Sequence, residues 1–403
     1  MESIIGKIKS DYSLYPKEVL AEIGNSKKSL FIGIPKETDF QEKRIPLTPN
    51  SVAALVNYGF RISIEKDAGE SSNFSNDEYL NAGADVVFTK ADVFKADTIL
   101  KSGPINPSEI SLLHTNQLIF SPILLPNQTK SMIKSMMEKR ITAIAFEYVR
   151  GDYNTYPFMR SMSEIAGNYA IMTAARYLSN EYGKGILLGG IAGQPPAKVM
   201  ILGAGTVGEA AAKAALALGA SVQIFDDNIY RLSRLQNDLG NKIYTSVIDP
   251  INVAKNISRA HVVIGALKPK NGKTPIVVTE DMVRSMKKDS VIIDVSIDHG
   301  GCFETSKVTN HNEPIYTKHG VIHYCVPNIA SNVSRTASYA LSNILSPILK
   351  NAANAGSIEN LLKYDDGLRL GAYLYKGALT KEFIAKKFDL KFTDLELLLS
   401  ADF

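Results

Sequence analysis

Residues 199–208 read V-M-I-L-G-A-G-T-V-G. The run 199–202 is apolar and strand-like, Gly203, Gly205 and Gly208 follow it at once, and the chain then turns Ala-rich as the start of a helix does. Asp226 closes the next strand-like run, 222–225. In such a unit the first glycine permits the tight turn, the second lets the backbone approach a pyrophosphate, and the third lets helix pack on strand, with the phosphates at a helix N-terminus. Strand, glycines, helix and acid in that order make a dinucleotide-binding fingerprint rather than a set of turn glycines. Asp226 can accept from both ribose hydroxyls. With Asp227 beside it, a 2′-phosphate would meet two negative charges, so NAD is expected rather than NADP. Arg231, about one helical turn further on, either flanks the adenosine or is a solvated helix charge.

Outward from this unit the same rhythm continues. Apolar runs at 262–264 and 291–295 extend a doubly wound parallel sheet. Upstream, runs at 30–35 and 60–65 flank a helix-like stretch at 50–58, and further runs at 98–100, 117–123 and 141–146 alternate with polar segments. This predicts a second α/β domain, also parallel. A helical pattern at 163–182 leads into the Gly/Pro-rich stretch 183–196, expected as the connection between domains. Helix-like sequence at 331–349 is expected to pack back on the first domain, and the tail beyond it has no pattern that places it.

Composition narrows the function class. A chain of 403 residues, 45% hydrophobic and 21% charged, suits two substantial domains. The formal charge of +4 is spread along the chain without a basic arm, which points away from nucleic acid and membrane surfaces and toward a small soluble ligand. Cys302 and Cys325 are the two cysteines, with no C-x-x-C pair, so neither a disulfide framework nor a metal site is expected, and reduced cytoplasmic thiols fit best. Lys9, Asp11, Lys17 and Glu18 break up the first thirty residues, so no export signal is expected. The apolar stretch 185–220 is interrupted by Lys198, Glu209, Lys213 and Pro195-Pro196, and reads as strand and helix rather than a membrane span.

Several phrases occur in order: I-G-I-P-K-E (32–37), K-R-I-P-L-T-P (43–49), D-A-G-E (67–70), M-S-E-I-A-G (162–167), D-V-S-I-D-H-G-G-C-F-E (294–304) and Y-C-V-P-N (324–328). Together they resemble the alanine dehydrogenases, within the superfamily that includes the nucleotide-binding subunit of proton-translocating transhydrogenase. The resemblance implies a two-domain α/β fold, a Rossmann doubly wound parallel sheet inserted in a discontinuous α/β substrate domain. It places an N-terminal extension at 1–29, the substrate domain at 30–162 plus 335–403, and the NAD domain at 163–334. It also implies a homo-oligomer, a hexamer, and oxidative deamination of L-alanine to pyruvate and ammonia with hydride passed to NAD. By the same resemblance Arg44 clamps the substrate carboxylate through its planar fork, Asp298 is the active-site acid, Asn328 contacts nicotinamide or substrate, and Ser163 hydrogen-bonds the cofactor. His299, beside Asp298, matches no catalytic position.

The family also draws a Lys and a His from its first domain, and here the chain departs. In L-K-S-G-P (100–104), Lys101 matches the first of two family lysines and Gly103 falls near the catalytic one. In F-S-P-I-L-L (120–125), Leu124 or Leu125 stands where the family places its acid/base His. Positioned acid/base groups contribute about 10² to 10⁴ in rate, so the loss matters. Lys101 is the candidate to swing into the vacated place, with His114 and Tyr148 as candidate proton donors. Three classes stay open at this point: an amino-acid dehydrogenase with rearranged acid/base groups, an NAD-binding regulatory protein without the chemistry, and a transhydrogenase-like nucleotide-binding subunit.

Overall fold

The computed structural model describes residues 30–39, 41–240, 243–269 and 272–401; the segment 1–29, read above as an N-terminal extension, lies outside the described residues. The first sheet is built from six parallel strands: β1 (Phe31–Ile34), β2 (Arg61–Glu65), β3 (Asp85–Val87), β4 (Thr98–Leu100), β5 (Leu118–Ser121) and β6 (Thr142–Ala145). The second comprises β7 (Lys198–Leu202), β8 (Ser221–Asp226), β9 (Tyr244–Val247), β10 (Val262–Gly265), β11 (Val291–Asp294), β12 (Ile315–Lys318) and β13 (Val321–Tyr324). Its order is β12-β13-β11-β10-β7-β8-β9, reversing at β7 and β10 as a doubly wound sheet does. After it the chain returns to the first sheet. There β14 (Ala372–Tyr375) pairs antiparallel with β6 and β15 (Ala378–Leu379) with β14, giving the order β15-β14-β6-β5-β4-β1-β2-β3. The second unit is thus inserted in the first, and the tail that sequence could not place completes the first sheet's edge.

Strands β4, β5, β6, β10, β11 and β13 are buried along their whole length, which is why they read as unbroken apolar runs rather than alternating ones. Helices cover both faces. The helix Pro157–Leu178 belongs to both domains: Phe158 stacks on Phe146 at 4.6 Å in the first core, while Ala166, Ala170, Ala174 and Leu178 lie in the second. Gly167 makes that second contact possible, because a Cβ there would stand 2.3 Å from the Val207 carbonyl oxygen and 2.8 Å from the Ala210 Cβ. The crossing between domains therefore runs through this helix. The stretch 183–196, expected to be the connection, instead packs on the second domain, with Leu188 in its core and the Gly185 N–H on the Leu178 carbonyl. Glycine and proline reported a loop correctly, but loop composition carries no information about which core the loop covers. The helix Ser334–Asn354 returns to the first core through Leu341, Leu345 and Leu349.

Parallel strands deliver their following loops to one edge of a sheet. From the first sheet β1, β4 and β5 lead toward residues 35–39 and 41–44, 101–103 and 122–125; from the second β7 and β11 lead into 203–205 and 295–299. The segment 41–44 meets the second domain directly: the Lys43 N–H donates to the Ser331 hydroxyl at 2.7 Å, and the Asn328 side-chain amide donates to the Gln41 carbonyl at 3.2 Å. The carboxyl-end edges of the two sheets thus face each other across the domain boundary.

Candidate active site

Gly203 adopts φ +113°, and a Cβ there would come within 2.3 Å of the Ala266 carbonyl oxygen. Gly208 packs against the Gly203 carbonyl at 1.9 Å by the same construction, so a side chain at either position would push the helix off its strand. Gly205 differs. It precedes the helix Thr206–Ala217, has no side-chain cap, and a Cβ there would meet nothing within 4 Å. Open space in front of uncapped helix N–H groups is what a pyrophosphate requires. Ser163 lies one helical turn before Gly167, and positions four apart share a helix face, so it belongs to the surface that approaches this helix start. Asp226 is buried, accepting from the Ala204 N–H at 2.7 Å and the Asn228 N–H at 2.8 Å. It thereby fixes the glycine loop, and a carboxylate with about four lone-pair directions retains acceptor capacity. Arg231 reaches to 3.8 Å from Asp226 and keeps a solvent-exposed side chain.

Across the cleft, Arg44 is held by Glu42, its Nε donating to Oε1 at 2.7 Å and its Nη2 to Oε2. Both side chains are almost fully buried. A guanidinium carries two forks; Glu42 takes the one formed by Nε and Nη2, which leaves the Nη1/Nη2 end, where Nη1 lies 3.2 Å from the Met162 sulfur. Asn328, at φ +52°, ties the two domains: its N–H donates to Asp298 Oδ1 at 3.0 Å and its side-chain amide to Glu42 Oε2 at 3.0 Å. Asp298 sits in the short 3₁₀ turn Val295–His299 after β11 and keeps an open face to solvent. Protein nonetheless crowds its carboxyl, and this desolvation raises its pKa above the usual Asp value against the Asn328 N–H, His299 and Arg44, which pull it down. Arg44, Asp298 and Asn328 thus come together, while His299 faces solvent.

Lys101 is placed differently from the expectation that it swings into the cleft. It is 1% exposed and donates to Glu37 at 2.6 Å and Glu109 at 2.9 Å, with Lys90 completing the cluster at 3.0 Å from Glu109. Withdrawing its ammonium would strand buried carboxylates, a cost of several kcal/mol (about 3 to 5). Glu37 in turn accepts the N–H groups of Ser102 and Gly103, and a Cβ on Gly103 would lie 3.0 Å from Glu37 Oε2 and 3.6 Å from Glu42 Cγ. Position 103 therefore faces the acids that flank Arg44, but carries no side chain. Leu124 adopts φ +41°, is 44% exposed, and has its N–H fixed by the half-buried Glu147 at 2.9 Å. The two substitute donors fall away. His114 lies in the turn before β5, at the edge opposite the cleft, and Tyr148 packs edge-on against Phe383 with its phenol pushed up to about 12 by burial. Glu37 and Glu42 were not singled out from sequence; the acid two residues before Arg44 was the available signal.

Residues 33–166 match the alanine dehydrogenase/PNT N-terminal domain, and residues 170–382 the alanine dehydrogenase/PNT C-terminal domain. The chain belongs to the alanine dehydrogenase/PNT family. Among its relatives, alanine dehydrogenase of Methanococcus maripaludis is 40% identical over 370 residues, covering 91% of this chain and 99% of that protein. Alanine dehydrogenase of Staphylococcus haemolyticus is 38% identical, covering 92% and 100%. A solved L-alanine dehydrogenase superposes with a TM-score of 0.84 at 37% identity, covering 89% of this chain and 99% of that one. The transhydrogenase from Sinorhizobium meliloti superposes at 0.75 with 26% identity, covering 88% and 99%. The higher identity and closer superposition lie on the dehydrogenase side of the family. No helix among the described residues is long and apolar enough to cross a membrane.

Proposed function

We propose that the chain is an NAD-dependent dehydrogenase of the alanine dehydrogenase type, converting L-alanine, NAD and water to pyruvate, ammonia and NADH. One juxtaposition carries the reading: Asn328 joins Asp298, on the nucleotide-domain side, to the Glu42–Arg44 pair on the substrate side. The cradle at Gly205, the helix start behind it and the acid at Asp226 fit NAD, which when bound supplies the hydride acceptor. Arg44 binds the substrate carboxylate on its Nη1/Nη2 end while Glu42 keeps the guanidinium from rotating. Asp298 takes the proton released from the substrate nitrogen or the attacking water, and its raised pKa brings it nearer the working pH of a base. Asn328 fixes the carboxylate toward the cleft. Lys101 acts as a positioning residue that holds Glu37, and through it the 102–103 turn.

A second reading has an observation in its favour. Gly103 stands near the position where the resemblance places a substrate-binding Lys, and Leu124 or Leu125 where it places an acid/base His, as a non-catalytic NAD-binding relative would have it. The test is NAD reduction with a panel of L-amino acids at alkaline pH, with Asp298→Ala as control. Turnover on alanine that the control abolishes supports the dehydrogenase; NAD binding with no turnover on any amino acid sinks it. With Asp298 as the base, activity falls as pH drops through its raised pKa. The exposed Leu187 (66%) and Ile191 (69%) support a homo-oligomer, which light scattering on the purified protein checks; a cytoplasmic location goes with the two unpaired cysteines, both buried.

A further inference from the structure

Asp294, the last residue of β11, is buried away from solvent and touches neither the Gly205 cradle nor Arg44 in any contact described above. Its carboxylate nevertheless gathers the segment that carries Asp298. Oδ1 accepts the Ser296 N–H at 3.0 Å and the Cys302 thiol at 3.8 Å. Oδ2 accepts the Cys302 N–H at 3.0 Å and the Ser306 hydroxyl at 2.6 Å. Two glycines make room for it: a Cβ at Gly301 would stand 2.5 Å from Oδ2, and one at Gly265 2.7 Å from Oδ1. Ser296, so anchored, exchanges hydrogen bonds with Leu267 N–H and C=O, linking the loops after β10 and β11. Asp298 lies midway between residue 294 and the amide of Cys302 that closes back on it.

We infer that Asp294 is the positioning residue that holds Asp298 and the 295–306 segment in the reactive arrangement, and that turnover requires Asp294 in its ionised form. The inference rests on the dehydrogenase reading. All four contacts donate to Asp294, so a proton on the carboxyl takes away one acceptor direction; the Ser306 hydroxyl must then reverse and accept, and the segment loses the charge-assisted tie it had. Burial without a neighbouring cation pushes this carboxyl up to about 6, against the Ser306, Cys302 and Ser296 contacts that lower it. The titratable groups facing it are the Cys302 and Cys325 thiols and the Tyr316 phenol, all three pushed upward by burial and neutral near pH 6. Among the described residues of this cluster, Asp294 alone changes charge in the neutral to mildly acid range. Asp298 then titrates beside it as a second, separate requirement.

The experiment is the pH dependence of kcat/KM for alanine-dependent NAD reduction by the whole enzyme, compared between wild type, Asp294→Asn and Ser306→Ala, with NAD affinity measured by calorimetry. The acid limb of wild type should be steeper than that of Asp294→Asn by about one proton. A misplacement on the order of 1 Å costs about 10² in rate, so kcat of Asp294→Asn should fall about ten- to a hundredfold, while NAD affinity stays within about threefold. Ser306→Ala removes one donor that favours ionisation, so its steep limb should move to higher pH by about half a unit, with kcat near neutrality kept. This second variant decides the matter where Asp294→Asn fails to fold. Equal acid limbs in all three proteins, or a wild-type kcat in Asp294→Asn, overturn the inference and leave the dehydrogenase standing. No turnover by wild type on any amino acid removes both.

Discussion

Replacing Lys101 by methionine removes the cation that Glu37 and Glu109 share while keeping most of the side-chain volume. Lys90 still serves Glu109 at 3.0 Å, so the stranded group is Glu37, left with two backbone N–H donors. Breaking a buried pair from one side costs about 3 to 5 kcal/mol, and the surviving N–H contacts put this case near the lower figure, about 3 kcal/mol. For a domain of this size each kcal/mol moves the melting temperature by about 2 to 4 °C, so Lys101→Met should melt about 6 to 12 °C lower in calorimetry. The sign with pH is also set. Burial raises Glu37 above its ordinary value, so its penalty is absent below the unfolded carboxylate pKa of about 4.3 and grows as pH rises toward the folded value. The deficit of the variant should therefore shrink at acid pH. Below its lowered melting temperature the variant should keep kcat within about tenfold of wild type, because Lys101 touches no substrate. An unchanged melting temperature together with a loss of about 10³ or more in kcat would refute the argument, since it would mean that Lys101 leaves its carboxylates to act in the cleft.

The two loop glycines separate cofactor binding from folding. Gly205→Ala should leave the melting temperature unchanged and weaken NAD by about tenfold or more in calorimetry, since its Cβ enters space free of protein; Gly203→Ala, at φ +113° with a carbonyl oxygen 2.3 Å away, should instead lower the yield of folded protein. Leu124→His places an imidazole at a position whose left-handed backbone His accepts more readily than Leu, so the fold should hold. If a missing proton donor limits turnover, alanine-dependent NAD reduction should rise by about 10², and an unchanged rate would show that position 124 does not reach the substrate.

Most of the parallel sheets was legible because buried central strands announce themselves as apolar runs. The hairpin β12–β13 was not. Its two-residue turn is His319-Gly320, both at positive φ, and His in place of the usual Asn or Asp hid the turn. Strand β14 is four residues long and exists because β6, more than two hundred residues earlier, offers it an edge, a partner that no local pattern reveals. The site divides in the same way. Arg44, Asp298 and Asn328 stand in recognisable phrases. Glu37 and Asp294 also stand in such phrases and Glu42 directly precedes one, but what these three acids do lies in what they touch, which no phrase reveals. Lys101 follows the same rule: sequence offers it as the candidate for the vacated place, while its two carboxylate partners, Glu37 and Glu109, are out of view there.

The helix that enters both cores has a mechanical consequence. Phe158 near its start is packed among aromatic rings of the first core and Gly167 at its middle is pressed on a neighbouring helix of the second, so the stretch between them is gripped by both domains. Met162, which touches Arg44, and Ser163, on the face toward the glycine loop, lie in that stretch. One helical turn thus carries both the contact to Arg44 and the residue facing the glycine loop, so the spacing between the two half-sites is set by the fixed rise of a helix rather than by a loop.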